Sequence, residues 1–377
     1  MRIWIAGGGT GGHVYPGLDV VQALVAEPGL YQASEPPTFL YVGGQGGIEE
    51  RLATQAGLRF FGVPAGGMHG VALWRAVRNL VKLVQGWAAV YRLGRRERPA
   101  ALFATGGYAS LPVALAAWLL RVPILVYLPD IEPGLAVRAI ARLAARVAVT
   151  VEDSARVARP YFPARQVVVT GYPVRAEFRG LERAQARTAF GLAPDEPVLL
   201  VMGGSRGAHS INQALSGVLE GVLELAQVIH VSGELDWPWV AQRRDALPET
   251  LKARYHAFSY LYQEMGQALA AADLAVCRAG ASTLGELPFF GLPAVLVPYP
   301  YAWRYQRVNA DWLAERGAAV RLDDERLAAE LLPTLRRLLE DRAGLKSLAA
   351  HMQALARPDA ATRLARELWG LARRNAT

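Results

Sequence analysis

Short β-rich hydrophobic runs alternate along the chain with longer segments of helical periodicity. The first run, Met1 to Ala6, is followed by a glycine-rich stretch and a helix-like segment from Tyr15 to Ala26. The same order recurs with a run from Pro197 to Met202, a second glycine-rich stretch and a helix from Ala208 to Leu219. Alternation of this kind is typical of parallel sheets, so the pattern predicts two Rossmann-like α/β domains, each with its own first strand.

Further strands are predicted between and after these two units. In the first half they are Thr38–Val42, Ala101–Ala104, Val122–Leu128, Arg146–Val151 and Gln166–Thr170. In the second half they are Val228–Ser232, Tyr255–Ser259, Leu274–Cys277 and Ala294–Val297. A helical tail is predicted from Glu325 to Arg374, with a break near Pro358. We therefore expect a first domain over residues 1–170 and a second over 171–355.

The stretch from Gly7 to His13 joins a strand to a helix through five glycines. This arrangement suits a phosphate or nucleotide, because glycines allow close approach and a helix N-terminus offers N–H donors. Three of these glycines also satisfy the dinucleotide-binding pattern G-x-G-x-x-G. That fold requires an acidic residue at the end of the second strand, whereas here Glu49 and Glu50 lie on the following helix. The sequence therefore disfavours NAD binding.

Composition is that of a globular protein, with 52% hydrophobic and 20% charged residues. A single cysteine, Cys277, excludes an internal disulfide and a cysteine metal cluster. The longest apolar stretch, Leu111 to Leu128, is interrupted by Arg121 and two prolines, so no membrane span is predicted. No signal peptide is evident, and we expect a soluble, cytoplasmic protein.

The net charge of +8 favours polyanionic partners, which include nucleic acid, anionic lipid and phosphorylated substrates. No zinc-ligand spacing or nucleic-acid recognition motif is present, so nucleic acid is not expected as a partner. Charge alone does not choose between the other two classes.

Five motifs occur in one order along the chain. They are Gly8–Pro16, Thr105–Ser110, Gly171–Arg175, Gly203–Ala208 and Cys277–Glu286. In this order they resemble the MurG family, which transfers N-acetylglucosamine from UDP-N-acetylglucosamine to lipid I, undecaprenyl-pyrophosphoryl-N-acetylmuramyl-pentapeptide, to give lipid II in peptidoglycan synthesis. The resemblance covers essentially the whole chain. It implies a GT-B fold, in which two Rossmann-like doubly wound domains face each other across a cleft and a terminal helix, here residues 356–377, packs back on the first domain.

The resemblance implies a donor site in which Glu286 accepts hydrogen bonds from both ribose hydroxyls, Ser205 and nearby N–H groups bind the diphosphate, and Arg175 contacts the nucleotide. The backbone of Tyr262 corresponds to the uracil contact. The other donor-site residues that it implies are Thr10, Gly11, Gly12, Asp130, Ala281, Ser282, Thr283, Leu284, Gly285, Tyr305 and Gln306. Each main residue also has a structural interpretation: a first-turn acid, a helix cap and an interdomain ion pair.

In the acceptor half, His13 follows the glycines and has the pKa range of a general base. We hypothesise that it deprotonates the attacking sugar hydroxyl or positions the acceptor. By resemblance the acceptor diphosphate is bound by Thr10, Gly11, Gly12, Gly106, Gly107, Tyr108 and Ser110. Gly106 and Gly107 could instead be ordinary turn glycines.

No cofactor or metal is expected, because the chain lacks a D-x-D motif. The acidic cluster Asp323-Asp324-Glu325 is interpreted as a solvated helix start rather than a metal site. Helix dipoles, hydroxyls and arginines would then stabilise the leaving diphosphate.

The segment from Val71 to Arg98 is predicted to be a long helix that mixes tryptophans with arginines. It could be an ordinary amphipathic helix packed on the sheet. Paired tryptophans flanked by arginines also suit a membrane interface, and the resembling family docks through this region. We expect peripheral binding to the anionic cytoplasmic face of the membrane, through a patch made of Val71, Trp74, Arg75, Arg78 and Val81.

Three segments depart from the family pattern. Tyr127 to Asp130 replaces His-Glu-Gln-Asn, Tyr305 replaces the first glutamine of Arg-Gln-Gln, and Met68-His69-Gly70 replaces a basic loop. Other interpretations therefore stay open: a related transferase with another lipid or small-molecule acceptor, a UDP-N-acetylglucosamine 2-epimerase, or a binding protein without turnover. An epimerase would need neither the tryptophan–arginine helix nor the loop that carries His13.

Overall fold

The computed structural model describes residues 1–376 except 28, 30–35, 65–72, 108, 159–161, 163–165, 205–206 and 301–304, and it describes no side chains at 73–83 or 376. The chain forms two compact units. The first contains Met1–Val174 and Pro358–Thr377, and the second contains Arg175–Arg357. The boundary between the two units therefore lies four residues after the predicted one, at the arginine of the Gly171–Arg175 motif.

The first unit contains a parallel sheet of seven strands among the described residues. The strands are β1 Arg2–Gly7, β2 Thr38–Gly44, β3 Arg59–Val63, β4 Ala101–Gly106, β5 Ile124–Leu128, β6 Arg146–Val149 and β7 Val167–Val169. The helices are α1 Gly11–Ala26, α2 Ile48–Gln55, α3 Leu73–Glu97, α4 Ser110–Leu119, α5 Leu135–Ala141 and α6 Glu152–Ala158. The spatial order is β3-β2-β1-β4-β5-β6-β7, which reverses direction between β1 and β4.

The central strands of this sheet are buried on both faces, which explains their nearly continuous apolar sequences. Every residue of β4 and β5 is buried. Helices cover both faces, and the fully buried Trp4 and Val126 lie in the same apolar cluster. In such a doubly wound sheet, ligands bind at the carboxyl ends of the strands where the order reverses. That point lies between the loops that follow β1 and β4.

The second unit repeats the design with six parallel strands in its described part. They are β8 Val198–Met202, β9 Gln227–Val231, β10 Tyr255–Phe258, β11 Leu274–Cys277, β12 Ala294–Leu296 and β13 Ala319–Arg321, in the order β10-β9-β8-β11-β12-β13. The helices are α7 Arg183–Ala189, α8 His209–Gly217, α9 Leu219–Leu225, α10 Trp237–Asp245, α11 Glu249–Lys252, α12 Met265–Ala271, α13 Glu286–Phe290, α14 Tyr305–Glu315, α15 Leu327–Glu340 and α16 Arg342–Ala354. Its reversal point lies between β8 and β11.

The last helix, α17 Ala360–Ala376, returns to the first unit. Its buried face includes Leu364, Leu368 and Trp369. Two ion pairs also fix α17 to the first unit: Arg366 lies 3.5 Å from Glu27, and Glu367 lies 3.2 Å from Arg146. The amphipathic sequence of the tail therefore covers the first sheet.

The predicted tail is interrupted twice rather than once. Besides the break before α17, a second break occurs at Asp341, whose carboxylate accepts a hydrogen bond from Gly344 N at 2.9 Å. An aspartate at this position caps α16 and separates it from α15.

Candidate active site

The loop after β1 lies against the loop after β4 at the reversal point of the first sheet. Gly107 has φ +87, and a Cβ at this position would collide with the backbone of Gly8. A side chain is therefore excluded both by conformation and by space. Ser110, the first residue of α4, donates from its hydroxyl to Gly106 O at 2.6 Å. Tyr108, predicted to contact the acceptor, lies outside the described residues.

His13 lies in the first turn of α1, directly above this junction. Its Nδ1 is 3.0 Å from Thr10 Oγ1, and its ring packs against Gly106, where a Cβ would be 3.2 Å from His13 Cδ2. The buried Thr105 hydroxyl donates to the His13 carbonyl oxygen. The imidazole is thus held by one side chain from its own turn and by backbone from the neighbouring loop.

Burial lowers the pKa of His13 below its ordinary value, and the negative charge of Asp130 partly offsets this effect. The neutral imidazole is the form that can accept a proton. Asp130, predicted from the resemblance to help hold the donor sugar, therefore acts electrostatically on His13 within the first unit.

Tyr127 begins the segment that departs from the family pattern, and it is fully buried. Its hydroxyl lies 2.9 Å from Thr150 Oγ1 and donates to Gly171 O at 3.0 Å. Burial raises the pKa of Tyr127 well above its ordinary value. The neutral Tyr127 hydroxyl therefore links the end of β5 to the segments that follow β6 and β7. The departure from the family pattern at this residue contributes to packing inside the first unit.

In the second unit, Glu286 begins α13 just beyond β11, and its side chain is 17% exposed. Arg175 Nη2 lies 3.8 Å from Glu286 Oε1. Burial raises the pKa of Glu286, while the charge of Arg175 and a hydrogen bond with Ser282 lower it. The carboxylate and the arginine thus form one cluster on the edge where a ligand of this sheet would bind.

Arg175 contacts its own unit through several groups. Its Nη1 donates to Tyr262 O at 3.5 Å and lies 3.6 Å from Glu177 Oε1, and its guanidinium stacks 4.0 Å from the centre of the Phe178 ring. These contacts bring three predicted donor residues, Arg175, Tyr262 and Glu286, into one group. These contacts lie within the second unit, so the presence of Arg175 can be explained without an interdomain ion pair.

The remaining predicted donor residues of the second unit follow β8, β11 and β12. Ala281 to Leu284 form a short 3₁₀ helix in which Thr283 Oγ1 donates to Gly280 O at 2.6 Å, and Gly285 precedes α13. Tyr305 and Gln306 begin α14, and Gln306 Oε1 accepts from Tyr299 N at 2.9 Å. This bond directs the NH₂ end of the Gln306 amide away from Tyr299. Ser205 lies outside the described residues.

The interpretation of Asp323-Asp324-Glu325 as a solvated helix start is wrong for Asp324. Its side chain is only 17% exposed and pairs with Arg278, while Ser210 Oγ donates to Asp324 Oδ1 at 2.7 Å. Asp323 pairs with Arg321 at 2.8 Å. Both carboxylates are therefore structural anchors of the second unit. Among the residues that the structure describes, no group of three or more His, Cys, Asp or Glu side chains could hold a metal ion.

A polar chain beside the loop after β8 escaped the sequence analysis. His209 Nδ1 lies 2.8 Å from Asp236 Oδ1, whose other oxygen accepts from Asn212 Nδ2 at 2.7 Å. Asn212 Oδ1 lies 2.9 Å from His230 Nε2, and His230 Nδ1 lies 2.6 Å from Tyr255 OH. Burial lowers the pKa of His230 to about 4, so it is neutral in this chain of bonds. No local sequence motif indicates this chain of hydrogen bonds, because its residues come from four elements.

The predicted membrane patch at Val71, Trp74, Arg75, Arg78 and Val81 lies outside the described side chains. On the neighbouring helix α4, Leu115, Trp118 and Leu119 are 38%, 50% and 45% exposed. Their spacing places them on one face of the helix. No helix in the described part of the chain is long and apolar enough to cross a membrane.

Comparison with known proteins identifies the family. The family model described as the glycosyltransferase family 28 N-terminal domain matches residues 3–149, and the corresponding C-terminal domain matches residues 198–364. A UDP-N-acetylglucosamine–N-acetylmuramyl-(pentapeptide) pyrophosphoryl-undecaprenol N-acetylglucosamine transferase of Roseiflexus sp. (strain RS-1) is 44% identical over 97% of this chain and 94% of its own length. The chain belongs to this family of transferases. Its member from Desulforudis audaxviator is 37% identical over 96% of this chain and 95% of its own length.

Solved structures agree on the fold of this family 28 glycosyltransferase. MurG from Acinetobacter baumannii superposes with a TM-score of 0.73 at 24% identity, covering 97% of this chain and 98% of that one. The UDP-N-acetylglucosamine 2-epimerase of Neisseria meningitidis gives a TM-score of 0.67 at 12% identity, covering 98% and 99%. At such identities the likeness concerns the GT-B fold alone. The family match, not the fold, separates the transferase from the epimerase.

Proposed function

We propose that the chain transfers N-acetylglucosamine from UDP-N-acetylglucosamine to the lipid-linked N-acetylmuramyl-pentapeptide that its relatives are named for. The observation that carries the proposal is the imidazole of His13, held by Thr10 and by the backbone of Gly106 at the reversal point of the first sheet. The cluster of Arg175 and Glu286 in the second unit supports a ribose and uracil site.

His13 would act as the general base. Its lowered pKa keeps the imidazole neutral near pH 7, so it takes the proton of the acceptor sugar hydroxyl. The hydroxyl oxygen forms its bond to the anomeric carbon as the bond from that carbon to the UDP oxygen breaks. The configuration inverts, the proton ends on His13, and UDP leaves as the anion.

Charge on the leaving diphosphate would be stabilised by N–H groups and arginine rather than by a metal ion. Glu286 would accept hydrogen bonds from the ribose hydroxyls, and Gln306 would donate from its amide to the sugar. We expect turnover to be unchanged by a chelator. Loss of activity with EDTA and recovery with Mg²⁺ would overturn this part of the proposal.

We also propose that the enzyme binds peripherally to the anionic, cytoplasmic surface of the membrane. The exposed apolar face of α4, with Trp118 at its centre, lies beside the arginine-rich end of α3, where Arg92, Arg95 and Arg96 are exposed. Aromatic and aliphatic side chains next to cations are the combination that binds anionic bilayers.

The decisive experiment is incubation with UDP-N-acetylglucosamine and a short-chain analogue of the lipid-linked acceptor. A β-1,4-linked disaccharide on the lipid supports the proposal. Release of UDP without that product indicates another acceptor, and appearance of the epimerised sugar indicates an epimerase; either result contradicts it. UDP binding without any reaction would indicate a binding protein and contradict it equally.

A further inference from the structure

Glu49 makes contacts that the proposed reaction does not yet use. It is the second residue of α2, where an acid is favoured by the helix dipole, and its neighbour Glu50 fits that simple role. Glu50 is half-exposed and accepts from Gly46 N at 2.7 Å, within its own turn. Glu49 is instead 4% exposed and bonds to a different part of the sheet edge.

The two oxygens of Glu49 join the end of a strand to a loop. Oε1 accepts from Gly44 N at 3.0 Å, at the end of β2, and Oε2 accepts from Gly9 N at 3.3 Å, in the loop before α1. A buried carboxylate is costly unless hydrogen bonds satisfy it, and here backbone N–H groups do so. The carboxylate therefore ties the loop that precedes His13 to the neighbouring strand.

The sequence leaves space for this side chain on three sides. A Cβ at Gly8, Gly43 or Gly47 would lie under 3.0 Å from an atom of Glu49. Tyr41 adds a parallel tie, because its hydroxyl donates to Gly7 O at 2.9 Å. Several of the glycines thus accommodate Glu49, and not only a ligand.

We infer that Glu49 is a positioning residue: by holding the Gly9 N–H it fixes the loop so that Thr10, His13 and the N-terminus of α1 face the acceptor. The Gly9 N–H is then not a donor to substrate phosphate. The inference rests on the proposed acceptor role of this loop. It also explains why an acid near the end of the second strand does not make this fold a dinucleotide-binding one.

The test is Glu49→Gln in the full chain, with Glu50→Gln as the matched control. The amide keeps one acceptor but presents an NH₂ group to one of the two backbone N–H groups. Losing a hydrogen bond to a buried charged group should lower kcat/KM for the acceptor by about tenfold to a hundredfold, with a raised acceptor KM. UDP affinity should stay within about twofold, and Glu50→Gln should match wild type, because loss of one exposed turn contact has little effect.

A merely structural defect would reduce the active fraction and thus kcat, and would leave the acceptor KM unchanged. A folded Glu49→Gln chain with wild-type acceptor KM overturns the inference.

Amide hydrogen exchange at Gly9, followed by NMR, provides a second measurement that needs neither turnover nor a folded variant. Protection of this exposed amide in the wild-type chain is expected, and exchange at the rate of a free glycine overturns the inference. If the wild-type chain shows no turnover but its Gly9 amide is protected, the proposed acceptor is refuted, while the contact between Glu49 and Gly9 is still established.

Discussion

The hydroxyl of Thr10 lies 3.0 Å from Nδ1 of His13, so one nitrogen of the imidazole is engaged within the turn. The other nitrogen, Nε2, lies on the side of the ring that packs near Gly106. In the proposed reaction Nε2 would be the nitrogen that accepts the proton, because Nδ1 is already bonded to Thr10.

Replacing His13 by alanine should lower kcat by about a hundredfold to ten-thousandfold, since a general base contributes that much. UDP binding, measured by calorimetry, should be unchanged, because Glu286 and Arg175 belong to the second unit. Turnover of the alanine variant at the wild-type rate would contradict the assignment.

The pH profile gives an independent check on the same residue. Because burial lowers the pKa of His13 in the ligand-free protein, the imidazole is still neutral just below pH 6.5, and kcat/KM should fall only as pH drops through this lowered value. The same shift means that the unfolded chain binds the proton more readily, so His13 contributes to a loss of stability as pH falls below 6.5. An acidic limb of kcat/KM at or above pH 6.5 would contradict the prediction.

Glu286→Gln should separate stability from binding. Burial raises the pKa of Glu286 more than Arg175 and Ser282 lower it, so ionising this carboxyl destabilises the fold. The loss begins as pH rises above 4.5 and is complete above the raised pKa. At neutral pH the amide should therefore leave the melting temperature of the free protein unchanged or higher. UDP affinity should fall by about tenfold or more, because charge-assisted bonds to the ribose are lost. A lower melting temperature together with unchanged UDP affinity would contradict both parts.

Tyr127→Phe should affect stability and not chemistry. Removing the hydroxyl deletes two buried hydrogen bonds, but Thr150 still donates to backbone carbonyls and Gly171 O still accepts from Thr170, so the loss should be about 1 kcal/mol of unfolding free energy. Denaturant unfolding measures this loss, and kcat/KM should remain within about twofold of wild type because no reacting atom is touched. A fall in kcat of more than about tenfold in a variant that remains folded would show that the Tyr127 hydroxyl has a catalytic role.

Trp118→Glu should weaken binding to anionic vesicles by roughly tenfold, because it removes an aromatic side chain from the interface and adds a repelled charge. Leu235→Glu is the matched control, since Leu235 is 83% exposed in the second unit and should leave vesicle binding unchanged. Both are surface changes, so melting temperatures should stay close to wild type. Equal vesicle binding by the two variants would refute the α4 surface.

The sequence predicted those parts of the fold that repeat a strong local pattern. β11 was predicted with its bounds, and β1 and β8 within one residue, because apolar runs next to glycines are clear signals. α1 was predicted to begin at Tyr15 but begins at Gly11, because glycines hide a helical turn that Thr10 and the sheet edge impose. The three-residue edge strand β13 was missed, since its pairing with β12 decides it.

Candidate site residues could be chosen from the sequence where a family motif contains them, whereas contacts between distant segments could not be predicted. Glu286 and Arg175 were chosen from separate motifs, and the structure brings them to 3.8 Å. Asp324 was misinterpreted because its partner Arg278 is 46 residues away in sequence. Glu49 was considered only as an acid that lies in the wrong place to bind a ribose. Its bond to Gly9 could not be predicted, because it spans 40 residues.

The return of α17 to the first unit has a consequence for biosynthesis. The second unit is one continuous segment and can complete its core while the chain is still emerging from the ribosome. The first unit begins earlier but lacks the helix that covers part of its sheet until residues after Pro358 have been made. Until then it exposes the apolar surface that Leu364, Leu368 and Trp369 later bury, which is the period when a chaperone would have most to bind.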